Sequence, residues 1–110
     1  KKFVNKIIRI GDVFFYNLKK IKLTEKEKVI FNLLFTSSKK RNSVENRIIT
    51  EFFEDKNLNY GTINRRKNEF INYLNNKIKL IINTDKDIIV RINSSIDKRE
   101  VNYSVNSDFL

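Results

Sequence analysis

The sequence predicts an α+β fold in which an N-terminal antiparallel sheet precedes three core helices and a C-terminal β-hairpin. Residues 1–23 and 80–110 are rich in Ile, Val, Phe and Tyr, which favour strands. Through residues 24–79 apolar side chains recur at helical spacing. No Pro, linker or repeat interrupts the 110 residues, so we interpret them as a single domain.

The N-terminal segment predicts a small antiparallel sheet. The run IIRIGDVFF has the composition of extended chain, and Gly11-Asp12 predicts a turn or bulge inside it. The polar run NLKK at 17–20 then reverses the chain into a short strand, Ile21–Leu23.

A capping box opens the first helix. Thr24 and Glu27 have the S/T-x-x-E spacing in which the hydroxyl and the carboxylate satisfy each other's backbone amides. Apolar residues at helical spacing follow, so we predict a helix over 25–36, and the polar run TSSKKRN at 36–42 breaks it.

A second helix is predicted from a cap at Asn42 or Ser43. Five apolar residues fall on one stripe behind that cap: Val44, Ile48, Ile49, Phe52 and Phe53. The run EDKNLNYG ends the helix.

The third helix is predicted from about Gly61 or Thr62 to about Lys79. At 100 degrees per residue, five apolar residues share a core-facing arc of about 100 degrees: Ile63, Phe70, Ile71, Leu74 and Ile78. Lys67 falls inside that arc. We expect its stem to pack at the core edge and its ammonium to extend into solvent, within reach of a phosphate.

The C-terminal segment predicts a hairpin. Ile88–Ile92 and Val101–Val105 have strand composition and are expected to pair. The tip between them would hold Asp97, Lys98 and Arg99. The run IKLI at 78–81 is either the end of the third helix or a further strand.

The charge of the chain suggests a polyanionic partner. Lys and Arg number 23 against 13 Asp and Glu, a net charge of +10. The excess runs evenly along the chain, so the fold must build any basic patch. The alternative is a solvated surface in a composition biased towards Lys, Asn and Ile, which supply 16 residues each.

Several function classes are excluded by what the sequence lacks. Without Cys or His there are no disulfides, thiol chemistry, Cys/His zinc sites or imidazole triads. The carboxylates are scattered and no Gly-rich phosphate loop exists, so we expect no enzyme, metal or cofactor. No apolar run approaches the roughly 18 residues of a membrane span, and the start does not resemble a signal peptide. We therefore expect a cytoplasmic protein without a membrane partner.

The outward face of the third helix is the main candidate site. It presents Arg65, Asn68 and Asn72 on successive turns, with Arg66 beside them. Arg pairs with guanine and Asn with adenine in a major groove. A preceding helix and a tight connection would make this a helix-turn-helix. The alternative is that these are ordinary solvated residues of an amphipathic helix.

Two further basic clusters are candidate DNA contacts. Lys98 and Arg99 at the hairpin tip could touch phosphates or enter a minor groove. Lys39, Lys40 and Arg41, in the loop between the first two helices, are candidate phosphate contacts. The alternative for each cluster is a charged, solvated turn.

The order of parts resembles the OmpR/PhoB-type winged-helix domain, the C-terminal DNA-binding effector of bacterial response regulators. The stretch from Leu23 to Glu27 is similar to that family's LT-x-x-E helix start, and IIRIGD to the strand before it. Thr62-Ile63 resembles the opening of the recognition helix. Phe70 and Leu74 match two of that helix's apolar positions, and Lys67 replaces a third. Tyr103 matches the Tyr of the wing motif G-x-G-Y, whose glycines are missing.

The resemblance implies sequence-specific binding of double-stranded DNA by a transcriptional regulator. The third helix, from Thr62 on, would enter the major groove, and the wing would contact the backbone or minor groove. We expect RNA polymerase and an upstream sensor or receiver domain as partners, a homodimer on DNA, and a C-terminal position in a longer protein. The alternatives are a plasmid replication-initiator-type DNA-binding domain and a winged-helix protein-interaction module.

Overall fold

The structure is a computed structural model that describes residues 5–93 and 101–110. Over these residues the chain forms three α-helices and two three-stranded antiparallel sheets. The predicted α+β class is confirmed.

The N-terminal sheet has the order β1-β2-β3, with β1 at Ile7–Ile10, β2 at Val13–Tyr16 and β3 at Lys19–Ile21. Two-residue turns join the strands. Gly11 has a φ of 66°, and Asn17 and Leu18 have φ of 49° and 70°, the positive values that tight hairpin turns require. Because the second turn takes only two residues, β3 begins earlier than the predicted strand at Ile21–Leu23.

Helix α1 spans Glu25–Lys39 and begins with the predicted capping box. The Thr24 hydroxyl accepts a hydrogen bond from the Glu27 amide (3.3 Å), and the Glu27 carboxylate accepts one from the Thr24 amide (2.8 Å). The helix continues past the predicted end at 36. Ser38 is buried inside it, and its hydroxyl accepts a hydrogen bond from the Val105 amide (2.8 Å), a contact with a distant segment that holds the last turn in place.

The predicted start of the second helix was wrong. Val44–Glu45 form strand β4, and helix α2 covers only Asn46–Glu51, with Glu45 rather than Asn42 or Ser43 at its N-cap. Val44 is buried and pairs with Tyr103 across the sheet. At Val44, pairing with a distant strand therefore determines the structure, although the apolar spacing of the segment is helical.

Residues 52–59 connect α2 to α3, which spans Tyr60–Ile82. This connection is longer than the tight one that a simple helix-turn-helix needs. The Asn59 side chain caps α3 by accepting a hydrogen bond from the Thr62 amide (2.8 Å). The helix passes the predicted end at Lys79 and stops at Asn83, which is left-handed, so the run IKLI belongs to the helix. None of the described helices is both long and apolar enough to cross a membrane.

The C-terminal sheet has the order β4-β6-β5, with β5 at Ile89–Asn93 and β6 at Val101–Val105. The predicted pairing of the two long strands is confirmed: Ile89 lies opposite Val105, and Arg91 opposite Tyr103. The predicted tip residues Asp97, Lys98 and Arg99 lie outside the described residues.

The core lies between α1, α3 and the inner faces of both sheets. Phe14 of β2 packs edge-on against Phe31 and Phe35 of α1, with ring centroids 4.8 and 5.3 Å apart. From α3 the core receives Ile71, Leu74, Ile78 and Ile82. Phe70, predicted on the core-facing arc, is only half-buried, because it packs against Phe53 at the rim.

Candidate nucleic-acid interface

A groove of about 790 Å³ runs along one flank of α3. Its other walls are the start of α2 and the face of the C-terminal sheet that carries Arg91 and Tyr103. The lining is mostly polar. It includes four Asn side chains and five charged ones: Asn46, Asn64, Asn68, Asn72, Glu45, Arg47, Glu54, Lys67 and Arg91.

A row of amide side chains follows the α3 wall of this groove. The structure places the predicted residues Asn68 and Asn72 together there, and adds Asn64. The three are spaced four residues apart, so they lie on adjacent turns about 6 Å apart along the helix. Sequence reasoning missed Asn64, although its position one turn before Asn68 was the available signal.

Lys67 does not extend into solvent as predicted. It is only 3% exposed, and its ammonium donates hydrogen bonds to the Asn46 side-chain oxygen and to the Tyr103 hydroxyl, the latter at 2.8 Å. These two partners come from α2 and β6, so the side chain is held between three elements. Its placement on the core-facing arc of α3 was predicted correctly.

Arg91 of β5 is the cation on the opposite wall. It is exposed, and its guanidinium carbon lies 5.9 Å from the centre of the Tyr103 ring, while the Lys67 nitrogen lies 5.1 Å from the same point. Sequence reasoning missed Arg91 because it stands within an apolar strand run. Its place opposite Tyr103 in the predicted hairpin was the available signal.

The third cation of the groove is locally compensated. Arg47 lies 3.4 Å from Glu45 and 3.8 Å from Glu51, all three side chains being more than half exposed. Such pairs contribute little to stability and screen each other's charge.

Arg65 and Arg66 lie on different flanks of α3. Viewed down the helix axis, the Arg65 direction differs from that of Asn72 by about 20 degrees, and the Arg66 direction differs from that of Asn72 by about 120 degrees. Arg65 is exposed, with its Nε 3.7 Å from a Glu69 carboxylate oxygen. Arg66 lines a separate groove of about 530 Å³ together with Phe53 and Phe70. The structure therefore does not bring the two arginines together.

The other predicted site residues are also dispersed. Lys39 ends α1, and with Arg41 it lines a groove on the outer face of the C-terminal sheet, formed by Val90 and Ile92. Lys40 is exposed and caps α1. Lys98 and Arg99 lie outside the described residues, and Thr62 lies in the first turn of α3, where its amide bonds to Asn59.

Among residues 5–93 and 101–110 no three acidic side chains cluster to hold an ion. The arrangement can instead offer hydrogen-bonding amides and two cations, Lys67 and Arg91, to a polyanion.

Comparisons with known proteins identify no relative. No protein-family model matches the chain, and no curated protein or solved structure is significantly similar to it. The groove is therefore interpreted from its own side chains.

Proposed function

We propose that the chain is a winged-helix domain that binds double-stranded DNA in a sequence-specific manner. The observation that carries the proposal is the row of Asn64, Asn68 and Asn72 on the accessible flank of α3. The side-chain amide of Asn pairs with adenine through two hydrogen bonds: its oxygen accepts from adenine N6, and its nitrogen donates to adenine N7. A helix with amides on successive turns suits the major groove, which is wide enough to admit it.

The elements around α3 support the same proposal. The order α1, β4, α2, α3, β5, β6 places a three-stranded sheet beside the helix, as a wing requires. Arg91 projects from that sheet onto the groove beside the amide row, where it would contact the DNA backbone. The net charge of +10 favours a polyanion generally.

The proposed biological setting is a transcriptional regulator in a bacterial cytoplasm. Its partners would be RNA polymerase and an attached sensor or receiver domain, with two copies of the domain on one DNA site. Lys39, Lys40, Arg41, Lys98 and Arg99 would add contacts to phosphates at the edges of the interface. Arg65 would contact DNA from the same flank of α3 as Asn72. The site would bind DNA without catalysing a reaction.

Selection from a random duplex pool tests the proposal. Wild type should enrich a site with adenines at defined positions, and Asn68→Ala should lose the preference at one of them, by about 1–3 kcal/mol. Asn57→Ala is the matched control, because Asn57 is an exposed amide on the α2–α3 connection that does not line the groove. Enrichment unchanged in Asn68→Ala would contradict the assignment of the row.

A second candidate function is protein interaction. The outer face of the N-terminal sheet presents Ile8 and Ile10, which are 48% and 64% exposed, on the edge strand β1. Exposed apolar side chains on an edge strand favour contact with another protein. If the pool yields no enriched site and no salt-sensitive binding, this face becomes the better-supported interface.

A further inference from the structure

The Lys67 ammonium is a buried cation without a matching anion. No carboxylate of the described residues forms a salt bridge with it, and both of its hydrogen-bond partners are neutral. The other charged side chain buried in the described residues behaves differently: Glu27 has the Lys77 ammonium at 2.7 Å. Because a buried charge is costly unless it is compensated, the Lys67 site favours an anionic ligand.

Unused donors surround the same point. An ammonium has three N–H groups, and Asn46 and Tyr103 accept two of them. The Tyr103 hydroxyl accepts from Lys67, which leaves its own O–H available to donate. Both Lys67 and Tyr103 line the groove, so these donors have an approach from outside.

Arg91 supplies a second positive charge at this place. Its guanidinium and the Lys67 ammonium both lie within 6 Å of the Tyr103 ring centre, and no salt bridge engages Arg91 within the described part of the chain. A guanidinium from β5, an ammonium from α3 and a hydroxyl from β6 converge here, and together they match the oxygens of a phosphate group.

We propose that Lys67, Tyr103 and Arg91 bind one phosphate group at the floor of the groove. In the proposed DNA complex this is a backbone phosphate, held beside the amide row so that α3 is fixed in register. The source of the phosphate rests on the proposed function. The site itself does not, because a small phosphate compound would meet the same three donors.

The test uses the whole chain and two probes, inorganic phosphate and a duplex DNA. Lys67→Gln removes the charge but keeps N–H donors for Asn46 and Tyr103, and Lys67→Met is a second variant that is fully apolar. Lys56→Gln is the control for net charge, because Lys56 is exposed on the α2–α3 connection. Circular dichroism and urea unfolding establish that each variant is folded.

Phosphate is first titrated against chloride of equal ionic strength, with the Tyr103 ring resonances and the melting temperature as readouts. Wild type and Lys56→Gln should show saturable shifts, and Lys67→Gln should show none. In DNA titrations at several salt concentrations, Lys67→Gln should reduce the slope of log K against log salt by about 0.9, the value for one phosphate contact.

The outcomes separate the site from the function. Loss of the phosphate response in Lys67→Gln, together with the reduced slope, supports the site with a backbone phosphate. Loss of the phosphate response in a protein that does not bind DNA supports the site for a small phosphate compound and overturns the proposed function. Equal behaviour of Lys67→Gln and wild type towards both probes overturns the phosphate site.

Discussion

Asn75 fastens the start of β5 to α3. Its side-chain oxygen accepts hydrogen bonds from the backbone amides of Ile88 (2.8 Å) and Ile89 (3.0 Å), and its nitrogen donates to Asp87 (3.1 Å). Ile88 and Ile89 are buried, so water is not readily available as a hydrogen-bond acceptor for their amides. This one side chain therefore satisfies two backbone donors at the point where β5 begins.

Asn75→Ala should lower the free energy of unfolding by about 2 kcal/mol, because two backbone donors lose their acceptor. Asn76→Ala, one residue further on the exposed flank, should change it by less than about 0.5 kcal/mol. Urea unfolding at neutral pH measures both. Similar values for the two variants would mean that Asn75 does not hold β5.

Residue type and helical phase predicted only part of what the polar side chains of α3 do. Asn68, Asn72 and Asn75 are the same residue on one helix, and phase placed the first two on the outward flank. The role of Asn75 depends on the backbone of a later segment, which the local pattern does not contain. Lys67 shows the same limit: its phase was predicted, but its burial comes from partners 21 and 36 residues away.

At the scale of elements, a partly buried ion pair joins the start of α1 to α3. The Glu27 carboxylate, which closes the capping box, also accepts a hydrogen bond from Lys77 at 2.7 Å. Burial alone would raise the pKa of Glu27, but the hydrogen bonds from Lys77 and from the Thr24 amide outweigh it. The pKa of Glu27 therefore lies below its ordinary value of 4.5.

This lowered pKa predicts the direction of the pH dependence. The stabilisation is fully present above pH 4.5 and is lost as the pH falls through the lower pKa of the folded state. Glu27→Gln keeps an acceptor oxygen but no charge. It should be less stable than wild type by about 1 kcal/mol at pH 7, and the difference should shrink towards pH 3.

Urea unfolding of both proteins across that pH range measures the effect. Glu69→Gln is the control. Glu69 is exposed, and its carboxylate oxygen lies 3.7 Å from Arg65 Nε, so this ion pair is at the surface and contributes little to stability. A difference between wild type and Glu27→Gln that stays constant with pH would show that the Glu27 charge does not stabilise the fold.

Elements with local signals were predicted best. The capping box gave the start of α1, and the hairpin strands were placed within a residue or two. The α2 region was not, because Val44 and Glu45 pair with β6, which follows more than 50 residues later in the chain. The end of α1 likewise depends on the contact of Ser38 with Val105.

At the scale of the whole molecule, the basic side chains of residues 5–93 and 101–110 do not form one continuous face. Lys67 and Arg91 lie in the groove beside the amide row, Arg66 lies in the groove across α3, and Lys39 and Arg41 lie behind the C-terminal sheet. The net charge therefore does not by itself mark the interface. If α3 is the element that binds the DNA bases, substitutions on one of its flanks must weaken DNA binding more than substitutions on the other.

Neighbouring arginines make that claim directly testable. Arg65 lies on the same flank of α3 as Asn72, two turns away, and Arg66 lies on the opposite flank. Each substitution to Ala nevertheless removes the same charge from the same helix. The decisive measurement is fluorescence anisotropy of a labelled random-sequence duplex, titrated with wild type, Arg65→Ala and Arg66→Ala at low and moderate salt. The account predicts salt-sensitive binding that Arg65→Ala weakens severalfold more than Arg66→Ala. Equal weakening by both variants, or no binding even at low salt, would contradict it.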